Sequence, residues 1–84
     1  MHEAAVCAEI MTKVGRIAHE NNLAHVTRIE IVTGPGSCLR EQDLNFYFHI
    51  SQEGTCMEGA WIDVTQDPAV IDASQMLIRS IEGN

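Results

Sequence analysis

The stretch from Val26 to Thr65 constrains the fold most, because it reads as strand, helix, strand. Val26 to Thr33 alternates, with Val26, Arg28, Glu30 and Val32 set against Thr27, Ile29 and Ile31, and it is rich in β-branched residues. A period of two with that composition predicts a strand. Ala60 to Thr65 repeats the pattern, Ala60, Ile62 and Val64 against Trp61, Asp63 and Thr65. A helix joining two strands of one sheet implies a parallel pair and a right-handed crossover, since a right-twisted strand packs back onto its sheet only that way.

The middle of this unit carries two periods at once. Leu44, Phe46, Phe48 and Ile50 alternate with Asn45, Tyr47 and His49, the period of a strand. Yet Glu41, Gln42, Asn45, His49 and Gln52 fall within one arc of a helical wheel, and the longer pattern predicts a helix. Ser37 is its expected N-cap, with Glu41 and Asp43 near the positive end of the helix dipole. Phe46, Tyr47 and Phe48 are then expected in the core and not in a ligand cage. Gly34-Pro35-Gly36 ends the first strand as a turn; it lacks the Lys and Ser/Thr of a phosphate-binding loop. Gly54 and Gly59 bracket a loop before the second strand.

Ahead of this unit, Glu9, Thr12, Lys13, Arg16 and Glu20 recur at helical steps, while Val6, Cys7, Ile10, Met11, Val14, Ile17 and Ala18 fill the opposite side. An amphipathic helix from Glu3 to His19 follows, and Asn21-Asn22 supplies the left-handed residue that closes it. Gly15 weakens its middle by about 1 kcal/mol relative to Ala, which suggests that another element approaches closely there. After the unit, Asp67-Pro68 opens a connection through Ala73 that is too short for a crossover helix, and Gln75 to Glu82 alternates as a third strand. The expected fold is α+β, an α/β two-layer sandwich ordered helix-strand-helix-strand-strand, with two helices on one face of a three-stranded mixed sheet.

With 84 residues the chain makes one domain and one modest core. A formal charge of −7, with only Lys13, Arg16, Arg28, Arg40 and Arg79 as fixed cations, scattered along the sequence, argues against nucleic acid and favours a protein or cation partner. Cys7, Cys38 and Cys56 are odd in number and form no C-x-x-C pair, so neither a disulfide framework nor a four-thiolate zinc site is expected. No window approaches a membrane span and no basic-then-apolar leader precedes the fold, so a cytoplasmic protein with reduced thiols is expected.

The candidate site is the start, Met1-His2-Glu3. A free terminal amine, the amide nitrogens after it and the His2 imidazole can wrap one ion through fused chelate rings. Square-planar nitrogen sites suit Ni(II) or Cu(II). Binding needs the amine (pKa about 8) and the imidazole (about 6.5) to lose protons, so such a site is pH-dependent and lends its metal readily. His2 stands seven residues before Glu9, two turns back on the polar stripe, which argues against a buried core histidine. No paired carboxylates, Cys/His couple or Gly-rich cofactor motif points to an enzyme.

Taken in order, Met1-His2-Glu3 opening a helix, the strand Val26-Thr27-Arg28-Ile29-Glu30-Ile31, Leu44-Asn45-Phe46-Tyr47-Phe48, Glu53-Gly54-Thr55, Glu58-Gly59-Ala60 and Leu77-Ile78-Arg79-Ser80-Ile81-Glu82 resemble the nickel-binding domain of the HypA/HybF family. These are nickel-insertion proteins for hydrogenase and, in some bacteria, urease. The resemblance runs nearly end to end and rests on shared order and spacing. It implies transient Ni(II) held by the Met1 amine, the His2 imidazole and amide, and the Glu3 amide, without the Glu3 carboxylate. It also implies a HypB-like GTPase and a hydrogenase large subunit as partners. The family carries a zinc module with two C-x-x-C-type pairs between its second and third strands, where this chain has only Asp67 to Ser74, so residues 1–84 read as a single nickel-binding domain and no zinc is expected. His19, His25 and His49 match no family ligand and are expected at the surface. A competing expectation is an interaction protein that docks to a hydrogenase-type complex and delivers no metal. Unpaired strand edges make a homodimer a further possibility.

Overall fold

A computed structural model describes residues 3–72 and 75–84. Its elements are α1 (Glu3–Glu20), β1 (Val26–Thr33), α2 (Glu41–Ser51), β2 (Trp61–Gln66) and β3 (Met76–Gly83). The expected order and architecture hold: two helices and a three-stranded mixed sheet with strand order β2-β1-β3. β1 is central, parallel to β2 from Arg28↔Trp61 to Thr33↔Gln66 and antiparallel to β3 from Val26↔Gly83 to Thr33↔Met76.

Both helices press their apolar stripes onto one sheet face. Ile10 and Val14 of α1, Leu44 and Phe48 of α2, Ile29 and Ile31 of β1 and Ile62 of β2 are fully buried in one cluster. The opposite sheet face carries charged side chains together with the exposed Trp61 and Leu77. There Arg28 pairs with Asp63 and Glu82, and Arg79 pairs with Glu30 and Asp67. The β1–β3 register slips at Val26/Arg28 and again at Glu30/Ile31, which lets both Val26 and Ile29 turn inward from one strand.

α1 ends as its asparagines predict. Asn22 has φ 55°, Leu23 N–H donates to the Ala18 carbonyl at 2.9 Å and Asn22 N–H to that of His19 at 3.2 Å, the paired bonds of a Schellman closure. Gly15 departs from expectation: a Cβ built there meets nothing within 4 Å, so no element packs closely against it. Gly34 does have that role, because a Cβ there would run into the Val70 carbonyl where the β2–β3 connection crosses the end of β1. Asp67 N–H ties this connection to the Thr33 carbonyl at 2.8 Å.

α2 corrects two expectations, its N-cap and the burial of two of its aromatic residues. Its N-cap is Arg40, without a side-chain capping bond, and Ser37 Oγ instead accepts from Leu39 N–H. Phe48 is core, but Phe46 is 63% and Tyr47 39% exposed, because a helix rotated to bury Leu44 and Phe48 turns position 46 away. The polar arc is not simply a solvated face: Asn45 and Gln52 are both 4% exposed. The Asn45 amide donates to the Ile62 carbonyl at 2.8 Å and its oxygen accepts from Ile62 N–H at 2.9 Å. Glu41 accepts from Val64 N–H, and Gln52 donates to the Ala60 carbonyl while accepting from Gly59 N–H. The outer edge of β2 is thereby paired to side chains, and β3 is the sheet's other edge strand.

Replacing Asn45 by Ala leaves both Ile62 main-chain groups without partners and is expected to cost about 2–4 kcal/mol, a large part of a small domain's stability, measured by urea unfolding. Gly15→Ala fills open space on a helix and is expected to stabilise by about 1 kcal/mol in the same assay; a loss would mean that the position is crowded.

Candidate metal centre

Met1 and His2 lie outside the described residues, and of the three candidate site residues the structure places Glu3. Glu3 is the first residue of α1 and is half-buried, with its carboxylate in the first turn, where the helix dipole favours negative charge. The helix behind it is fixed early, since Val6 and Cys7 are already core residues. The amide of a first helical residue has no acceptor inside its own helix, so a ligand there can take it without breaking a helical bond.

The other histidines do not converge. His19 sits in the last turn of α1, His25 just before β1 and His49 on α2, all exposed. Among the described residues no three His, Cys, Asp or Glu side chains are grouped to hold a metal.

One surface feature escaped the sequence reading. Phe46 and Ile50 of α2, one turn apart, face Trp61 of β2 across an open groove of about 420 Å³, with Gln42, Asn45 and His49 completing its lining. The signal was present in the run Leu44-Asn45-Phe46-Tyr47-Phe48-His49-Ile50. Alternation laid on a helix gives two apolar pairs four residues apart, Leu44/Phe48 and Phe46/Ile50, about 200° from each other. One core cannot take both. A second groove of about 400 Å³ lies between the end of α1 and β3, with Ile17, Leu23, Ile78 and Ile81 in its lining.

Comparison with known proteins bears on this arrangement. A family described as hydrogenase/urease nickel incorporation, metallochaperone, HypA matches residues 1–77. The hydrogenase maturation factor HypA of Moorella thermoacetica is 30% identical over 71 residues, covering 84% of this chain and 63% of that protein. HybF of Salmonella typhimurium is 29% identical over 69 residues, 82% of this chain and 61% of that protein. The chain thus spans about three-fifths of the length of these relatives. The solution structure of the Ni metallochaperone HypA from Helicobacter pylori shares the fold, with a TM-score of 0.78 at 16% identity over 99% of this chain and 97% of that one. Among the described residues no helix is long and apolar enough to cross a membrane.

The cysteines are all free thiols in different settings: Cys7 buried, Cys38 exposed and Cys56 half-buried. Burial pushes the Cys7 thiol above its ordinary value, and a thiol must ionise before it ligates or attacks. Because the folded state holds that proton more tightly, this contribution to stability is complete below the ordinary thiol pKa and fades as pH rises past it. With iodoacetamide at neutral pH, mass spectrometry is expected to find Cys38 modified first and Cys7 only on unfolding; early labelling of Cys7 would contradict its place in the core.

Proposed function

This chain belongs to the HypA family of hydrogenase/urease nickel-incorporation metallochaperones, a family of maturation factors and not of enzymes, and on that premise we propose that it binds Ni(II) transiently at its amino terminus and passes it toward maturation of a [NiFe]-hydrogenase or urease. The observation that carries this reading is the family match beginning at residue 1, on a chain whose first helix starts at Glu3. The ligands are the Met1 amine, the His2 imidazole and amide, and the Glu3 amide, each amide releasing its proton to solvent as the metal binds.

A planar set of nitrogens suits Ni(II), and a set drawn from consecutive residues needs no other element to assemble it. An acceptor can replace such ligands one at a time, so transfer requires no catalytic group. The partners of this reading are a HypB-like GTPase and a hydrogenase large subunit, met in the cytoplasm, with neither nucleic acid nor membrane involved. Residues 67–74 take the place of a zinc module; no cysteine occurs there, and zinc is not part of the reading. The exposed Phe46, Ile50 and Trp61 favour a second reading, an interaction protein that docks to a hydrogenase-type complex without delivering metal.

Calorimetric titration of the untagged protein with Ni(II) is expected to show one ion per chain, with affinity and a yellow low-spin absorbance both rising as pH climbs through about 6.5 to 8, where imidazole and amine lose their protons. His2→Ala or acetylation of the terminal amine is expected to weaken binding by at least about tenfold, a loss that even outer-shell partners of metal sites produce. Equal heats and spectra for the native and His2→Ala proteins would refute the metal reading and leave the docking one.

A further inference from the structure

We infer that the groove between α2 and β2 is the docking site for a basic amphipathic helix of a partner protein. Phe46, Ile50 and Trp61 are 63%, 65% and 46% exposed, and they lie together along one groove. Large apolar side chains grouped in this way mark interaction surfaces more than solvated faces. The Phe46 ring is held ready by an edge-on contact with Tyr47, centroids 5.4 Å apart at 86°.

The backbone excludes one mode of binding. A peptide that added a strand to β2 would need its outward N–H and C=O groups, but the Ala60 carbonyl, both Ile62 groups and the Val64 N–H are already bonded to Gln52, Asn45 and Glu41. The occupant must therefore bind through side chains, and anchors one turn apart on α2 with a facing Trp suit the apolar stripe of a helix laid in the groove.

Charge selects its chemistry. Asp43 lies one turn before Phe46 on α2, and the exposed Glu53 follows the end of that helix at Ser51. Arg40 offsets Asp43 in part, at 3.6 Å, whereas Arg28, opposite Trp61 in register, is held by both Asp63 and Glu82. The fixed charges flanking the groove therefore sum to a negative value, and the chain as a whole carries −7. This charge attracts flanking Lys and Arg and repels a second copy of this chain. None of this rests on the nickel reading.

Trp61 is the sole tryptophan, so its emission reports directly on the groove. The probe is a synthetic helical peptide with leucines on one face and lysines on the other. It is expected to give a saturable blue shift that weakens with salt, while a scrambled peptide of the same composition and a glutamate-for-lysine version do not. The double variant Phe46→Ser/Ile50→Ser is expected to bind at least about tenfold more weakly, with an unchanged circular dichroism spectrum and unchanged nickel titration. The inference is overturned by the absence of a saturable shift, by equal binding of the scrambled peptide or of the double variant, or by a shift that grows with protein concentration alone, which would assign the patch to a homodimer.

Discussion

The structure depends on a row of amide and carboxylate side chains on α2 that completes the hydrogen bonding of β2. An edge strand leaves alternate N–H and C=O groups pointing away from its sheet, and burying them unpaired is costly. Here Glu41, Asn45 and Gln52, at helical spacing, meet Val64, Ile62 and the Gly59-Ala60 segment in turn. Asn45 serves the N–H and the C=O of one residue, which a carboxylate or a hydroxyl could not do in the same geometry. The helix behaves as a fourth strand made of side chains.

That row also sets the rotation of α2 about its axis. With Asn45 turned to β2, Leu44 and Phe48 must face the core, and Phe46 and Ile50 must face outward. The apolar groove beside Trp61 is thus a consequence of how the sheet edge is satisfied. Exposing three large apolar side chains together is a cost to solubility, which fits a surface kept for a partner.

The proposed nickel site obeys a different logic. Its ligands are consecutive in sequence, so the fold need only provide a firm base, and α1 does so with Val6 and Cys7 buried in its first turns and a Schellman closure at Asn22. The other chain end is equally tied, Asn84 exchanging main-chain bonds with His25. A carrier benefits from this division. In the proposed carrier the folded body would present the cargo, and a ligand set that depends on no distant residue could be surrendered without unfolding anything.

Most of the fold was legible in the chain because its elements announce themselves through local periodicity. The amphipathic stripe of α1, the β-branched alternation of β1 and the strand-helix-strand order were enough to specify a parallel pair and a mixed three-stranded sheet. The proposed chelation by Met1-His2-Glu3 is likewise read from sequence, since it would need only covalent neighbours. Tertiary structure alone decided which side of α2 was wet. Periodicity shows which residues share a face but not what that face meets, and Asn45 and Gln52 look like solvated residues until a strand edge is set against them. For the same reason Phe46 was wrongly expected in the core: two apolar pairs competed for it, and with Asn45 bonded to Ile62 it is Leu44 and Phe48 that go in.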